Sequence, residues 1–215
     1  MSDILTVSLG ATAAAADSAK RRQIIEGARA VFLAQGFDAA SMSDIARKAG
    51  VSKGTLYVYF KSKDELFEAI TEEQCSMQAE RVFELDEADH DVAAVLFKLG
   101  STFAHFMCNR STSAIRTVIA IADRMPEIGR QFFESGPQVG MAKLSRYLRA
   151  QVDAGVLAIA PEDCDIVASQ FLESCLSTTF KPVLFNFAPP PAQERIDHVV
   201  GIAVRAFMKA YGRSH

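Results

Sequence analysis

The sequence predicts an all-α protein of about nine helices, with a small N-terminal unit and a larger C-terminal one. Three observations carry that reading. Apolar residues recur with helical period through most of the chain, and no run alternates with period 2 over enough β-branched residues to make a strand. Only 7 Pro and 12 Gly stand among many Ala, Leu, Glu and Arg, a composition that favours helix. Charge is split: the first 63 residues hold nine basic and five acidic side chains, leaving 14 basic and 21 acidic to the rest, within a net charge of -3. A basic head on an acidic body suits a polyanion-binding unit attached to something else. At 215 residues, 49% hydrophobic and 23% charged, the chain can bury one sizeable core or two smaller ones, which excludes a disordered protein.

The elements follow in order. Residues 1–17 lack amphipathic period and read as a flexible tail. From Ser18, the stripe Ile24, Ala28, Val31 and Phe32 marks an amphipathic helix ending at Gly36, a left-handed C-cap. Ser41 or Ser43 can N-cap a second helix, Asp44 to Ala49, which Gly50 breaks; Ser52 caps a third, Lys53 to about Phe60. A long fourth helix starts at Ser62 and gives way to a turn near Asp89 and Asp91. Val92, Val95, Leu96, Leu99, Phe103 and Phe106 make the next stripe, and Ile115, Val118, Ile119 and Ala122 another. One segment runs from Pro126 across Gly136-Pro137 to Gly155. A further helix carries Ile166, Val167, Gln170, Phe171, Ser174, Cys175 and Thr178 on one face. After the turn at Pro189–Pro191, Ile196, Val199, Val200, Ala203, Phe207 and Ala210 form a final helix.

The chemistry lies in residues 41–60: a short helix, a tight turn and another short helix. Ala46 permits close helix crossing, Gly50 can take the positive φ of the turn, and Ile45, Val51 and Leu56 can meet in a small core. That is a helix-turn-helix, whose second helix is offered to the major groove of DNA. Lys53, Gly54, Thr55, Tyr57 and Tyr59 crowd this second helix. A glycine there costs about 1 kcal/mol relative to Ala, which makes sense where another backbone must approach. Free N–H groups with Lys53 suit a phosphate or base edge, and tyrosine hydroxyls suit phosphates. Lys63 adds a cation.

The run from Asp44 to Leu66, DIARKAGVSKGTLYVYFKSKDEL, with Ile24, Ala28, Phe32 and Gly36-Phe37 before it, resembles the DNA-binding domain of the tetracycline-repressor (TetR) family. The resemblance spans about residues 20–70. It implies a homodimeric regulator of double-stranded operator DNA, with residues 18–63 as the DNA-binding domain and 64–215 as a helical effector-binding and dimerisation domain. Carried over by position, Lys53, Thr55, Tyr57 and Tyr59 are operator contacts beside the Ser52 cap, Ser43 and Lys63 are phosphate contacts, and Gly54 is the point of close approach. Val58 stands where many relatives carry His or another polar residue, so it is expected in the domain core or against a thymine methyl. The stretch from Pro126 to Leu157 resembles the regulatory domain of the AefR-like and AcrR-like subgroups.

The family resemblance implies an effector pocket, with Phe103, Phe106, Met107, Val118, Phe132, Phe133 and Phe171 as its candidate lining; plain core packing is the competing role for each. The Phe-rich, Trp-free composition favours an unknown small apolar or aromatic effector. For the dimer interface the last two helices are the candidates, through Ala168, Ser174, Ser177, Thr178, Ile196, Val200 and Phe207. A ligand favouring a different spacing of the two reading helices would release the operator, although a co-repressor would reverse the sign.

No catalytic residue, cofactor or metal set is indicated. There is no G-x-S-x-G, P-loop or G-x-G-x-x-G, and His105 with Cys108 lacks further ligands; His90, His198 and His215 have no motif around them. A helical enzyme and a DNA-binding regulator controlled by a protein partner, or without any effector, are the rival readings. No uninterrupted apolar run reaches the ~20 residues of a membrane helix, and residues 4–16 make a poor signal peptide. Scattered Cys75, Cys108, Cys164 and Cys175 suggest free thiols in a cytoplasmic protein.

Overall fold

The computed structural model describes the backbone of residues 3–213, and the side chains within it except those of 3–16, 74–76, 78, 110, 111 and 113. The described residues form eleven α-helices: α1 (Asp3–Gln35), α2 (Met42–Ala49), α3 (Lys53–Tyr59), α4 (Lys63–Val82), α5 (Val92–Phe106), α6 (Thr112–Ala122), α7 (Pro126–Ser135), α8 (Pro137–Asp153), α9 (Cys164–Leu176), α10 (Phe180–Leu184) and α11 (Gln193–Tyr211). Among them, β structure is limited to an isolated Leu157–Gly212 bridge. The chain divides into two compact units, Met1–Glu73 and Gln74–His215.

Several elements depart from the sequence expectation. Residues 3–17, read as a tail, continue α1; alanine, repeated at 13–16, has the highest intrinsic helix propensity and needs no amphipathic stripe. The segment from Pro126 to Gly155 is two helices, because Gly136 adopts φ -118°, ψ -83° and breaks the ladder. The five-residue α10 is too short to show a period. α4 ends at Val82, so the acidic residues 84–91 lie in a connection whose Asp91 caps α5 by accepting from the Ala94 N–H.

The first unit is centred on Ile24, Ile25, Ala28, Ile45, Leu56, Phe60 and Leu66, all essentially excluded from solvent. Phe32, Phe37 and Phe67 form a ring cluster with centroids 5.1–5.6 Å apart. The second unit is built around α5, which packs on α9 and α11. At Gly100 a β-carbon would lie 2.8 Å from both Cys175 Sγ and a Val200 methyl, so only glycine permits this approach. The stretch Val92–Asn109 is long and apolar enough to cross a membrane by composition, yet its Leu96, Leu99 and Ala104 belong to this core. Between α5 and α6 a π-helical turn, Met107–Ser111, is held by Thr112 Oγ1, which donates to the Met107 carbonyl at 2.9 Å.

Candidate nucleic-acid interface

Local capping fixes the two short helices. Ser41 is the α2 N-cap, its Oγ accepting from the Asp44 N–H at 3.1 Å; Asp44, in the first turn, then pairs with Arg47 at 2.5 Å. Ser43, the other candidate cap, is an exposed residue of the helix itself. Gly50 closes α2 at φ 65°, ψ 36°, with the Val51 N–H donating to the Ala46 carbonyl. Ser52 caps α3: its Oγ accepts from the Thr55 N–H at 3.0 Å and lies 2.8 Å from Thr55 Oγ1. A seven-residue helix is marginal alone, so this cap and the burial of Leu56 hold it.

Helical period then sorts the α3 side chains. Leu56 and Phe60 point into the core, whereas Lys53, Gly54, Tyr57 and Val58 form one exposed stripe. Tyr57 is 51% and Val58 81% exposed. Val58 therefore does not face the domain core, since the i, i+4 partner of exposed Gly54 must share its face. At Gly54 a β-carbon would have its nearest neighbour 3.8 Å away, at Ser52 Oγ. The fold itself leaves room for a side chain there. Lys53 is exposed, as are Arg47 and Lys48 at the end of α2.

Two expected contacts are tied up within the chain. Lys63 Nζ donates to the carbonyls of Phe37, Asp38 and Ala40 at 2.7, 3.2 and 3.2 Å and lies 4.5 Å from the Phe37 ring centroid. An ammonium has three donors, and all three serve the connection between α1 and α2. Lys63 is thus a brace for that loop rather than a free cation for phosphate. The Tyr59 hydroxyl donates to Asp17 Oδ1 at 2.6 Å, and this bond raises the phenol pKa above its ordinary value. One turn along α1, the Arg21 guanidinium sits 5.2 Å from the Phe60 ring centroid. The sequence reading missed Asp17, Arg21, Gln23 and Gly27, each of which meets a partner more than 20 residues away.

In the second unit, the candidate pocket residues differ in burial. Phe171 is buried edge-on to Phe207 at 5.6 Å, and Phe103 packs against Phe83 at 5.7 Å, both as core. Phe106 and Met107 are half-buried against the same core, Val118 is buried, Phe132 is half-buried and Phe133 is 52% exposed. Three cavities lined by described residues have other walls. One of 220 Å³ is lined by Phe83, Lys143 and Arg146 with acidic neighbours, and one of 380 Å³ by Ile159, Ile166 and Tyr211. The third, 350 Å³, lies between α9 and α11 beside Ser174, Ser177, Thr178, His198 and Ile202.

Burial within the single chain divides the expected dimer residues. Ala168, Ile196 and Val200 are 0% and Phe207 6% exposed within the single chain, so they have no area left to give a partner. Ser174, Ser177 and Thr178 are exposed. The stripe read as one face of α9 divides: Val167, Phe171 and Cys175 turn inward, while Ile166, Gln170 and Ser174 turn outward. Cys108, Cys164 and Cys175 are buried free thiols; Cys75 lies outside the described side chains. His105 Nδ1 is 2.9 Å from Gln193 Oε1, and among the described residues no group of three or more His, Cys, Asp or Glu is placed to hold a metal.

Comparison with known proteins gives the family. Residues 24–70 match the family described as bacterial regulatory proteins, tetR family, and residues 94–213 match the C-terminal domain of AefR-like transcriptional repressors. The HTH-type transcriptional regulator YhgD of Bacillus subtilis (strain 168) is 26% identical over 153 residues, covering 71% of this chain and 78% of YhgD. YvdT of the same strain is 38% identical over 79 residues, which span 37% of this chain and 41% of YvdT. Among solved structures, a TetR-family transcriptional regulator from Mesorhizobium loti MAFF303099 superposes with a TM-score of 0.84 at 28% identity, covering 91% of this chain and 98% of that one. The flavonoid-responsive regulator FrrA gives 0.78 at 28% identity, covering 92% and 100%. With one family match on the helix-turn-helix unit and a second across more than half its length, the chain belongs to the TetR family of repressor-type, DNA-binding transcriptional regulators.

Proposed function

We propose that this protein is a cytoplasmic repressor that binds operator DNA as a homodimer and is released by a small apolar or aromatic effector. The observation that carries the operator-binding part is the exposed stripe of α3. Lys53, Gly54, Tyr57 and Val58 stand outward on a helix locked by the Ser52 cap, and the stripe has a glycine where the fold would accept a side chain. Docked in a major groove, Gly54 lets the backbone approach, Lys53 and Thr55 reach phosphate or base edges, and Tyr57 donates to phosphate while its ring packs on the sugar. Ser43, exposed in the first turn of α2, lies on the helix that crosses the DNA backbone. Tyr59 adds a further phosphate contact once its hydroxyl is free. Lys63 contributes by holding the α1–α2 connection.

Dimerisation is assigned to the outward faces of α9 and α11, through Ser174, Ser177, Thr178 and the 49%-exposed Ile202 around the 350 Å³ groove. Small side chains beside apolar ones let two helix pairs pack around a twofold axis. That axis sets the reading helices about 34–36 Å apart, one turn of DNA. α4 contributes residues to both units, so a ligand that prefers one arrangement of the second unit biases the spacing through it. A phenylalanine-rich second unit and the flavonoid response named for FrrA support an aromatic effector.

The test is fluorescence anisotropy of the full chain with duplexes from the DNA flanking its own gene, with and without a panel of flavonoids and other aromatic compounds. The expected result is specific binding that at least one compound weakens. Failure to bind any such duplex at low ionic strength would refute the operator reading. Tight binding that no compound alters would refute the effector half and favour control by a protein partner.

A further inference from the structure

Tyr59 is the last residue of α3, and its hydroxyl proton is already given to Asp17 Oδ1, 2.6 Å away. A phenol has one proton to donate, and a phosphate oxygen can only accept. Asp17 and an operator phosphate therefore require the same proton. Both would also lie within hydrogen-bond reach of one oxygen, which brings two negative charges to within about 5–6 Å of each other. The juxtaposition is set by the fold. Arg21, one turn further along α1, packs over the ring of Phe60, the residue after Tyr59, so the same stretch of α1 is laid against the end of α3 at two points. Asp17 is moreover an exposed acid three residues before the basic run Lys20, Arg21 and Arg22.

We propose that Asp17 is a built-in competitor of the operator phosphate: it holds the Tyr59 hydroxyl in the free protein and must yield it when DNA arrives. The inference rests on the reading of Tyr59 as a phosphate contact. Its consequence is an operator affinity held below what the site could reach, which keeps the complex releasable. Asparagine at position 17 lifts the repulsion and leaves only a weaker, neutral acceptor, whereas alanine removes the competing acceptor as well. Like charges at this separation in water are worth about a threefold change per subunit.

The experiment is an anisotropy titration of operator duplex, at fixed low salt, with the full-length protein and its Asp17→Asn, Asp17→Ala, Tyr59→Phe and Asp17→Asn/Tyr59→Phe variants. Thermal unfolding of each confirms folding. Asp17→Asn and Asp17→Ala should bind about threefold tighter per subunit, Tyr59→Phe should bind more weakly, and Asp17→Asn should gain markedly less in the Tyr59→Phe background. Unchanged or weaker binding by both Asp17 variants overturns the inference while leaving Tyr59 as a contact. An equal gain with and without the Tyr59 hydroxyl also overturns it, because that gain is general charge repulsion. If Tyr59→Phe binds as the wild type does, the phosphate reading of Tyr59 fails first and the inference falls with it.

Discussion

Gly27 on α1 and Ala49 on α2 meet so closely that a β-carbon on Gly27 would lie 2.6 Å from the Ala49 β-carbon and 2.7 Å from its α-carbon. One turn earlier, Gln23 Nε2 donates to the Ala49 carbonyl at 2.6 Å, capping the end of α2 from the side. α1 thus fixes the helix that precedes the turn, and through it the placement of α3. Gly27→Ala should force the two helices apart. Overpacking against backbone costs about 1–3 kcal/mol, of which better helix propensity returns up to about 1 kcal/mol. Urea unfolding should show a lower midpoint with operator affinity reduced as well; an unchanged midpoint would show that the crossing is slack.

At Gly54 the two properties should separate. An alanine there has open space and improves helix propensity by about 1 kcal/mol. Gly54→Ala should unfold at an equal or higher urea concentration than wild type, yet bind operator at least tenfold more weakly, because the added methyl keeps the backbone from the DNA. A variant that is more stable and binds equally well would remove Gly54 from the interface.

Lys63 and Lys53 are a second contrast. The Lys63 ammonium is taken up by three carbonyls of the α1–α2 connection. Lys63→Ala should therefore lower thermal stability and leave the slope of log affinity against log salt unchanged. Lys53→Ala should leave stability near wild type and reduce that slope by about 1, the signature of one lost phosphate contact. A flattened slope for Lys63→Ala would return it to the phosphate contacts.

Burial pushes the Cys175 thiol from 9.0 up to about 12. Above pH 9 the unfolded chain releases this proton while the folded chain keeps it, so the contribution is complete below pH 9 and is lost as pH rises toward 12. Stability should fall by up to about 1.4 kcal/mol per pH unit in that window from this group. Cys175→Ala should be less stable at pH 8 through the cavity it leaves, with a shallower decline between pH 9 and 10.5. Parallel declines in urea midpoint would show that the thiol titrates freely in the folded protein.

What could be read from the sequence was local. Ser52, Gly36 and Gly50 act within one turn of their own helix, so their caps and positive φ angles follow from residue type and position. The outward stripe of α3 follows from period 3.6 once Leu56 is placed inside. Contacts between distant segments were not legible: nothing near Lys63 announces the carbonyls of Phe37, Asp38 and Ala40, and nothing near Asp17 announces Tyr59. On α9 and α11 the apolar stripe was correctly seen and wrongly oriented. A helix with buried Phe171 and exposed Ile166 has apolar residues on two sides, and period alone does not say which side meets the chain's own core.

On the proposed function, α3 reads a major groove twice, in a twofold pair. Hydroxyl-radical footprinting and guanine-N7 methylation interference on the bound operator measure this directly. Two major-groove patches are expected on one face of the duplex, centred one helical turn or a multiple of it apart, both weakened by Tyr57→Ala. A single unrepeated patch, interference confined to the minor groove, or a footprint that Tyr57→Ala leaves intact would contradict it.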